Sequence, residues 1–280
     1  MRRMRELTPD LVGLGWRPEL AAGILLNLEH IDVVEVMAED FAGRAERRAL
    51  RTLSAQVPVV VHGVSLGLAS ATPVARPRLE ALARVVEAAR PLFWSEHLAF
   101  VRAGGLEIGH LAAPPRTAAT VEGAAENLRR AAAVVGRAPL VENVATLIDP
   151  PASTMGEAEW ISAVPADLLL DLHNLLANAL NFGLSPRALL DGLPAARIAA
   201  VHLAGGRWLP GLGRPRLLDD HRHDVPDAVY DLLTEVAARV SHPLVVILER
   251  DGAYPPMEVL LAQLARARQA LAAGRARRAA

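Results

Sequence analysis

The sequence contains no cysteine. That excludes disulfides, thiolate zinc sites, cysteine-ligated iron-sulfur clusters and cysteine nucleophiles, and leaves any metal to imidazole and carboxylate donors. Aromatic residues make up only 4%, so Leu, Val and Ala must fill the core. There is no excess charge of either sign: Lys plus Arg number 30 and Asp plus Glu 31, for a formal net charge of -1. Such a balance gives no electrostatic reason to expect a nucleic-acid partner. No apolar run is long enough to cross a bilayer. The basic start from Met1 to Asp10 lacks the continuous apolar stretch of a secretory signal. A cytoplasmic location with no membrane partner is the expectation.

What is present is a folding composition. Hydrophobic residues make up 52% and charged residues 22% of 280, enough for one large apolar core. Short Val/Ile/Leu runs alternate with Ala/Leu/Glu/Arg segments of helical periodicity, the pattern of βα units with buried parallel strands. Strands are expected near Leu11 to Gly15, Ile31 to Val36, Val57 to Val61, Leu92 to Glu96, Leu140 to Asn143, Asp167 to Leu172, Ile198 to Leu203 and Leu244 to Glu249. Helices are expected over Arg78 to Ala89, Ala119 to Val135, Pro186 to Leu190, from Pro226 onward with proline in the first turn, and over Met257 to Ala270.

Eight strands fit an α/β fold of the (β/α)8 TIM-barrel class, one domain over residues 1–280 with a tail at 271–280 that either ends a helix or frays. A doubly wound sheet uses similar units, but no early Gly-x-Gly-x-x-Gly turn argues for it. Two connections exceed a simple turn. Ala99 to Thr117 contains Gly104-Gly105 and Pro114-Pro115; Ala204 to Asp224 contains Gly205-Gly206, Trp208, Pro210, Gly211, Gly213 and Pro215. On a barrel such excursions form the rim of a substrate site.

The polar residues fall at strand ends. Val57 to Val61 runs into His62, Leu92 to Ser95 into Glu96-His97, and Leu140-Val141 into Glu142-Asn143. Leu168 to Leu170 runs into Asp171-Leu172-His173-Asn174, Ala199 to Val201 into His202, and Leu244 to Leu248 into Glu249. An ionisable group at the end of a buried strand needs water, a partner or a metal, and in a barrel all these ends ring one mouth. Imidazole with carboxylate suits Fe, Mn or Zn. A hydrogen-bonded polar network is the plainer alternative. Asp219, His221 and His223 alternate on the loop after His202 and extend the set; a solvated charged turn has the same composition. With more donors than one ion uses, Glu142 could bridge two ions. Glu35, Glu39, Asn143, His173 and Asn174 suit orientation of ligands or substrate, although Glu39 could equally cap the next segment. Trp208, among Gly and Pro, is a candidate substrate contact, and Trp94 a core or lip residue.

These residues resemble the DUF692 (UPF0276) family, the multinuclear non-heme iron-dependent oxidative enzymes. The landmarks are Gly13-Leu14-Gly15-Trp16-Arg17-Pro18, Glu35-Val36-Met37-Ala38-Glu39-Asp40-Phe41, Val61-His62-Gly63-Val64-Ser65-Leu66, Ser95-Glu96-His97-Leu98, Val141-Glu142-Asn143, Val201-His202-Leu203-Ala204-Gly205 and Glu249-Arg250-Asp251-Gly252. The resemblance implies a xylose isomerase-like (β/α)8 barrel holding two or three iron ions, mixed-valence Fe(II)/Fe(III), and using O2 on a ribosomally made precursor peptide, with cysteine the first-choice target. It also implies a small partner protein that recognises the peptide leader. The metal ligands it implies are His62, His97, Glu142, Asp171, His202, Asp219, His221 and Glu249, with Glu142, His202 and Asp171 in catalysis and His223 in reserve. Many relatives resemble Asp-Val-Asn-Asn where this chain has Asp171-Leu172-His173-Asn174, so His173 either adds a ligand or reshapes the pocket. Two other readings use the same residues or the same loops: a divalent-metal sugar isomerase or phosphodiesterase, and a noncatalytic peptide-binding barrel.

Overall fold

The computed structural model describes residues 9–103, 105–210 and 213–279. Gly104, Gly211 and residues 1–8 of the basic start lie outside them. Twelve strands occur among the described residues: β1 Leu11–Gly15, β2 Val34–Met37, β3 Val59–Gly63, β4 Trp94–His97, β5 Phe100–Ala103, β6 Leu106–Ala112, β7 Leu140–Glu142, β8 Leu168–Asp171, β9 Ile198–Leu203, β10 Gly206–Leu209, β11 Arg216–Asp219 and β12 Val245–Leu248. Eight of them close a barrel in the order β1-β12-β9-β8-β7-β4-β3-β2, every pair parallel. The helices are α1 Ala21–Leu25, α2 Arg44–Ser54, α3 Arg76–Ala89, α4 Ala118–Val135, α5 Glu157–Ala163, α6 Leu172–Phe182, α7 Pro186–Asp191, α8 Asp227–Arg239 and α9 Met257–Ala279. This is the expected (β/α)8 architecture.

Burial on both faces explains the continuous apolar runs. Val59–Gly63 and Ile198–Leu203 are buried at every residue, one side against the helices and the other inside the barrel. The interior is a separate small cluster of Val33, Val60, Phe93, Leu140, Leu169, Ala199, Ala200, Val245 and Ile247. Strand side chains alternate with a period of two. The residues two steps beyond Val33, Val60, Leu140, Leu169, Ala200 and Ile247 are therefore Glu35, His62, Glu142, Asp171, His202 and Glu249, stacked above the plug.

Each long connection contains an antiparallel hairpin, β5 with β6 and β10 with β11. Several boundaries differ from the sequence expectation. The second strand begins at Val34 rather than Ile31 because Ile31 closes a short 3-10 turn and the Asp32 carboxylate accepts the Val12 N–H at 2.9 Å. The sixth barrel strand passes directly into α6, because the Asp171 side chain caps the helix by accepting the Asn174 N–H at 2.6 Å. Pro226 is the residue before α8 rather than part of its first turn. The final helix continues through Ala279, so the tail to that residue is helical. No helix among the described residues is long and apolar enough to cross a membrane.

The connection after β3, residues 64–75, has no regular helix or strand, so its backbone needs other partners. Buried Asn127 on α4 supplies them, accepting the Val74 N–H at 2.8 Å and donating to Leu68 O at 3.0 Å and Ser70 O at 3.1 Å. Asn127→Ala should lower unfolding free energy by about 2–3 kcal/mol. Urea denaturation measures this, and an unchanged midpoint would refute the clamp.

Candidate metal centre

Seven of the eight barrel strands, all but β1, carry on them or just beyond them one member of a buried cluster, Glu35, His62, His97, Glu142, Asp171, His202 and Glu249, and strand register sets their contacts. Glu142 pairs in register with His97, and Asp171 with His202. Glu142 lies at the centre. Its Oε2 is 3.2 Å from His62 Nε2 and 3.5 Å from His97 Nε2, while its Oε1 is 3.3 Å from His202 Nδ1. His202 Nδ1 is also 3.1 Å from Glu249 Oε2, and its Nε2 is 2.9 Å from Glu35 Oε2. His62 is aimed by a contact between its Nδ1 and Ser95 Oγ at 2.8 Å, and His97 by Gly63 O at 3.3 Å from its Nδ1. Such contacts on the far nitrogen leave the near one directed inward.

Two groups of donor atoms emerge, each with all its atoms within 4.8 Å of one another: His62, His97 and Glu142, and Glu142, Asp171, His202 and Glu249. Glu142 belongs to both. The hairpin β10–β11 brings Asp219 and His221 to the same mouth. His221 Nε2 is 3.0 Å from Asp219 Oδ2 and 3.9 Å from Asp171 Oδ2, and its Nδ1 is 3.3 Å from Glu249 Oε2.

Hydrogen bonds within the protein do not satisfy this set. Glu142 Oε2, Asp171 Oδ2, Glu35 Oε1, Asn174 Oδ1 and His221 Nε2 are buried without a hydrogen-bond partner. Buried acids and imidazoles left unpaired at this density are costly. The group shared at Glu142 fits two neighbouring cations.

Electrostatics point the same way. Burial pushes the Glu35 carboxyl up to about 7. Burial also raises Asp171 well above the carboxylate range, reinforced by the Asp219 charge. Burial opposes the charged forms of Glu142 and Glu249 too, but the neighbouring histidines, His97 and His202 foremost, outweigh it and hold both carboxylates down. His62 is pushed down to about 3 by burial, which leaves it neutral, as a ligand must be. For His97 burial is outweighed by Glu142 and Glu96, which raise it to about 9. In the metal-free protein, protonated His97 and His202 supply positive charge that bound cations would replace.

The other expected residues are distributed around this centre. Asn143 and Asn174 brace it: Asn143 donates to Asp171 O at 2.9 Å, and Asn174 donates to Asn143 O at 2.9 Å. Glu39 is exposed and accepts the Val64 N–H at 3.1 Å. His223 lies outside both groups, 46% exposed, with its Nδ1 2.9 Å from Asp220 Oδ1. Trp94 is fully buried and donates to Arg137 O at 3.0 Å. Trp208 is 55% exposed on β10 and is not among the cavity-lining residues. His173 belongs to neither donor group.

A cavity of about 750 Å³ opens onto the centre. His62, His97, Asn174, Asp219, His221 and Glu249 form its polar floor; Leu111, Ala112, Val144, Leu147, Ile148 and Leu217 are among its apolar walls. Arg17 reaches the floor from β1. Its guanidinium donates to Asp251 Oδ1 through Nε at 2.8 Å and Nη2 at 2.5 Å, and its Nη2 is 3.7 Å from Glu249 Oε1. Sequence reasoning gave Arg17 and Asp251 no role, although each lies two residues beyond a strand-end position already singled out, Gly15 and Glu249. It also missed Asn178 and Asn181. Asn178 accepts the Thr146 N–H at 2.8 Å and donates to Val144 O at 2.9 Å, and Asn181 donates to Thr146 O at 3.3 Å. With Asn174 they recur at helical spacing on α6, a pattern that the unrecognised helix concealed.

Glu142→Gln should abolish paired metal binding, because a neutral amide cannot serve two cations as a carboxylate does. Metal analysis after anaerobic Fe(II) loading checks this, and full stoichiometry in the variant would remove Glu142 from the centre. Protons and metal compete for His97, whose metal-free value is raised to about 9. Apparent affinity should therefore rise with pH between 7 and 9, by about tenfold per unit for each proton displaced. A pH-independent Mn(II) or Co(II) isotherm across that range would contradict it.

Over residues 11–272 the chain matches the family described as RiPP precursor modification enzyme MbnB/TglH/ChrH. It is 39% identical over 283 residues to a UPF0276 protein of Streptomyces avermitilis, covering 97% of this chain and 57% of that protein. It is 36% identical over 275 residues to a UPF0276 protein of Rhizorhabdus wittichii, covering 95% and 96%. Among solved structures, a xylose isomerase domain containing protein from Salmonella typhimurium has a TM-score of 0.62 at 14% identity, covering 94% of this chain and 97% of that one. Endonuclease IV from Thermus thermophilus has a TM-score of 0.56 at 17% identity, covering 94% and 99%. At such identities the two structures share the fold alone.

Proposed function

The chain belongs to the MbnB/TglH/ChrH family of RiPP precursor modification enzymes, and from this premise we propose that it is a multinuclear iron-dependent oxidative enzyme that uses O2 to modify a ribosomally made precursor peptide. Cysteine is the first-choice target residue. The observation that carries the reading is the double membership of Glu142 in two buried donor groups, which suits a multinuclear centre rather than one isolated ion.

In this reading His62, His97 and Glu142 would hold one ion, and Glu142, Asp171, His202 and Glu249 would hold a second. Asp219 and His221 provide donors for a third or for an exchangeable position. Bound iron would supply Lewis acidity and the electrons that O2 chemistry requires. The protein does the rest. Ser95 and the Gly63 carbonyl fix the imidazoles of His62 and His97, and Glu35 fixes that of His202. Arg17 holds Asp251 beside His221, limiting the freedom of that floor. The apolar walls keep bulk water from the centre once a peptide segment fills the cavity, which strengthens every charge interaction within. A volume of about 750 Å³ exceeds that of one free amino acid, which suits a peptide segment. A small leader-binding partner protein would present that segment, and the cytoplasm, where the precursor is made, is the proposed site of reaction.

A divalent-metal isomerase or phosphodiesterase would use the same fold and similar donors. The distinguishing experiment is aerobic incubation of the iron-loaded protein with the peptide encoded beside its gene, with and without adjacent small proteins, monitored by O2 uptake and intact mass. The expected result is O2-dependent mass change confined to one residue. Full occupancy by Zn or Mg, with neither O2 uptake nor mass change, would overturn the oxidative reading.

A further inference from the structure

His173 is a buried ionisable side chain that neither donor group uses. It is 1% exposed, in the first turn of α6 beneath the β10–β11 hairpin. Its Nδ1 lies 2.6 Å from Asp219 Oδ1, the shortest of the contacts that Asp219 makes, while the other oxygen of that carboxylate, Oδ2, is 3.0 Å from His221 Nε2. The two oxygens are thus divided, one toward α6 and one toward the centre. The opposite ring nitrogen, Nε2, is buried without a partner.

The direction of Nε2 follows from Gly206, the cross-strand partner of Asp219. A Cβ on Gly206 would stand 2.5 Å from His173 Cε1 and 3.0 Å from its Nε2, as well as 2.1 Å from Leu218 O. The imidazole therefore fills the space a side chain at 206 would occupy, and its free nitrogen faces β10. A second tether lies two turns along the same helix, where Asn181 accepts the Leu217 N–H at 2.7 Å and donates to Leu217 O at 2.9 Å. The helix thus holds strand β11 at Leu217 and at Asp219.

We infer that His173 is a positioning residue rather than a metal ligand: its Nδ1–H donates to Asp219 Oδ1, turns Oδ2 toward the centre, and latches the β10–β11 hairpin onto α6. Gly206 is the space this latch requires. The inference rests on the reading of Asp219 as a donor of the metal centre, but the latch itself can be observed without metal.

An asparagine can test the distinction, because its amide nitrogen hangs from Cγ as the Nδ1 of histidine does. His173→Asn can keep the donation to Asp219 and has nothing in place of Nε2. His173→Leu removes the donor while filling much of the volume, and His173→Ala serves if leucine does not fold. Two measurements apply to the full chain: hydrogen–deuterium exchange across residues 206–219 in the metal-free protein, and Co(II) titration read by optical spectrum and by stoichiometry. His173→Asn should match the parent protein in exchange and stay within about threefold in Co(II) affinity. His173→Leu should exchange faster across the hairpin and lose roughly tenfold in affinity, the size expected for a group that orients a ligand. Equal damage in the asparagine and leucine variants, with a changed Co(II) spectrum and slow hairpin exchange retained, would identify His173 as a ligand and overturn the inference. Parent-like exchange in His173→Leu would overturn it as well. If the parent protein binds no Co(II), the metal reading fails, while the exchange comparison still decides the latch.

Discussion

The arrangement depends on repulsion among carboxylates that strand alternation brings into one dry space. Glu35, Glu142, Asp171 and Glu249 are buried at the tops of four strands, each two positions beyond an apolar residue of the barrel plug or its edge. They cannot turn outward without reversing the whole strand, since a register slip of one residue would send the apolar plug into the helical layer and its neighbours inward. The histidines offset part of the charge by protonation. Bound cations would offset it more completely, because they would also satisfy oxygens that no N–H reaches. Glu142 carries the greatest share, with both of its oxygens facing imidazoles.

The rim hairpins follow from the same constraint. Donors on the barrel strands come from below and leave one side of the centre open. The β10–β11 hairpin supplies Asp219 and leads into His221, closing that side with residues distant from the strands in sequence. This makes the hairpin's attachment to α6 part of the centre's geometry. A barrel of this kind does not by itself fix a chemistry. The donors at its mouth carry the distinction.

Much of this was legible in the sequence for a physical reason. Parallel strands buried on both faces produce apolar runs, and an ionisable residue ending such a run stands out. His62, Glu142, His202 and Glu249 were therefore visible without any structure. Asp171 was visible as an acid but not as a helix cap, because the strand expected over Asp167 to Leu172 runs across the change from strand to helix between Asp171 and Leu172. That single ambiguity concealed α6, and with it the roles of Asn178 and Asn181. The hairpins were hidden for another reason. Their strands are mostly exposed or half-buried, so they lack the alternation that marks a strand packed on a core. Arg17 was overlooked because its partner, Asp251, lies at the opposite end of the chain and meets it only when β1 pairs with β12.

The amides of Asn178 and Asn181 fasten the loop from Val144 to Thr146 from behind, on the side away from the cavity it lines. The wall that meets an incoming molecule is consequently set during folding, before any encounter. Ordering that loop costs conformational entropy once, in the unimolecular step, and does not recur at each binding event. A cavity built this way selects by shape and surface chemistry already in place, and a guest that demands a different contour would have to disrupt buried amide contacts to obtain it.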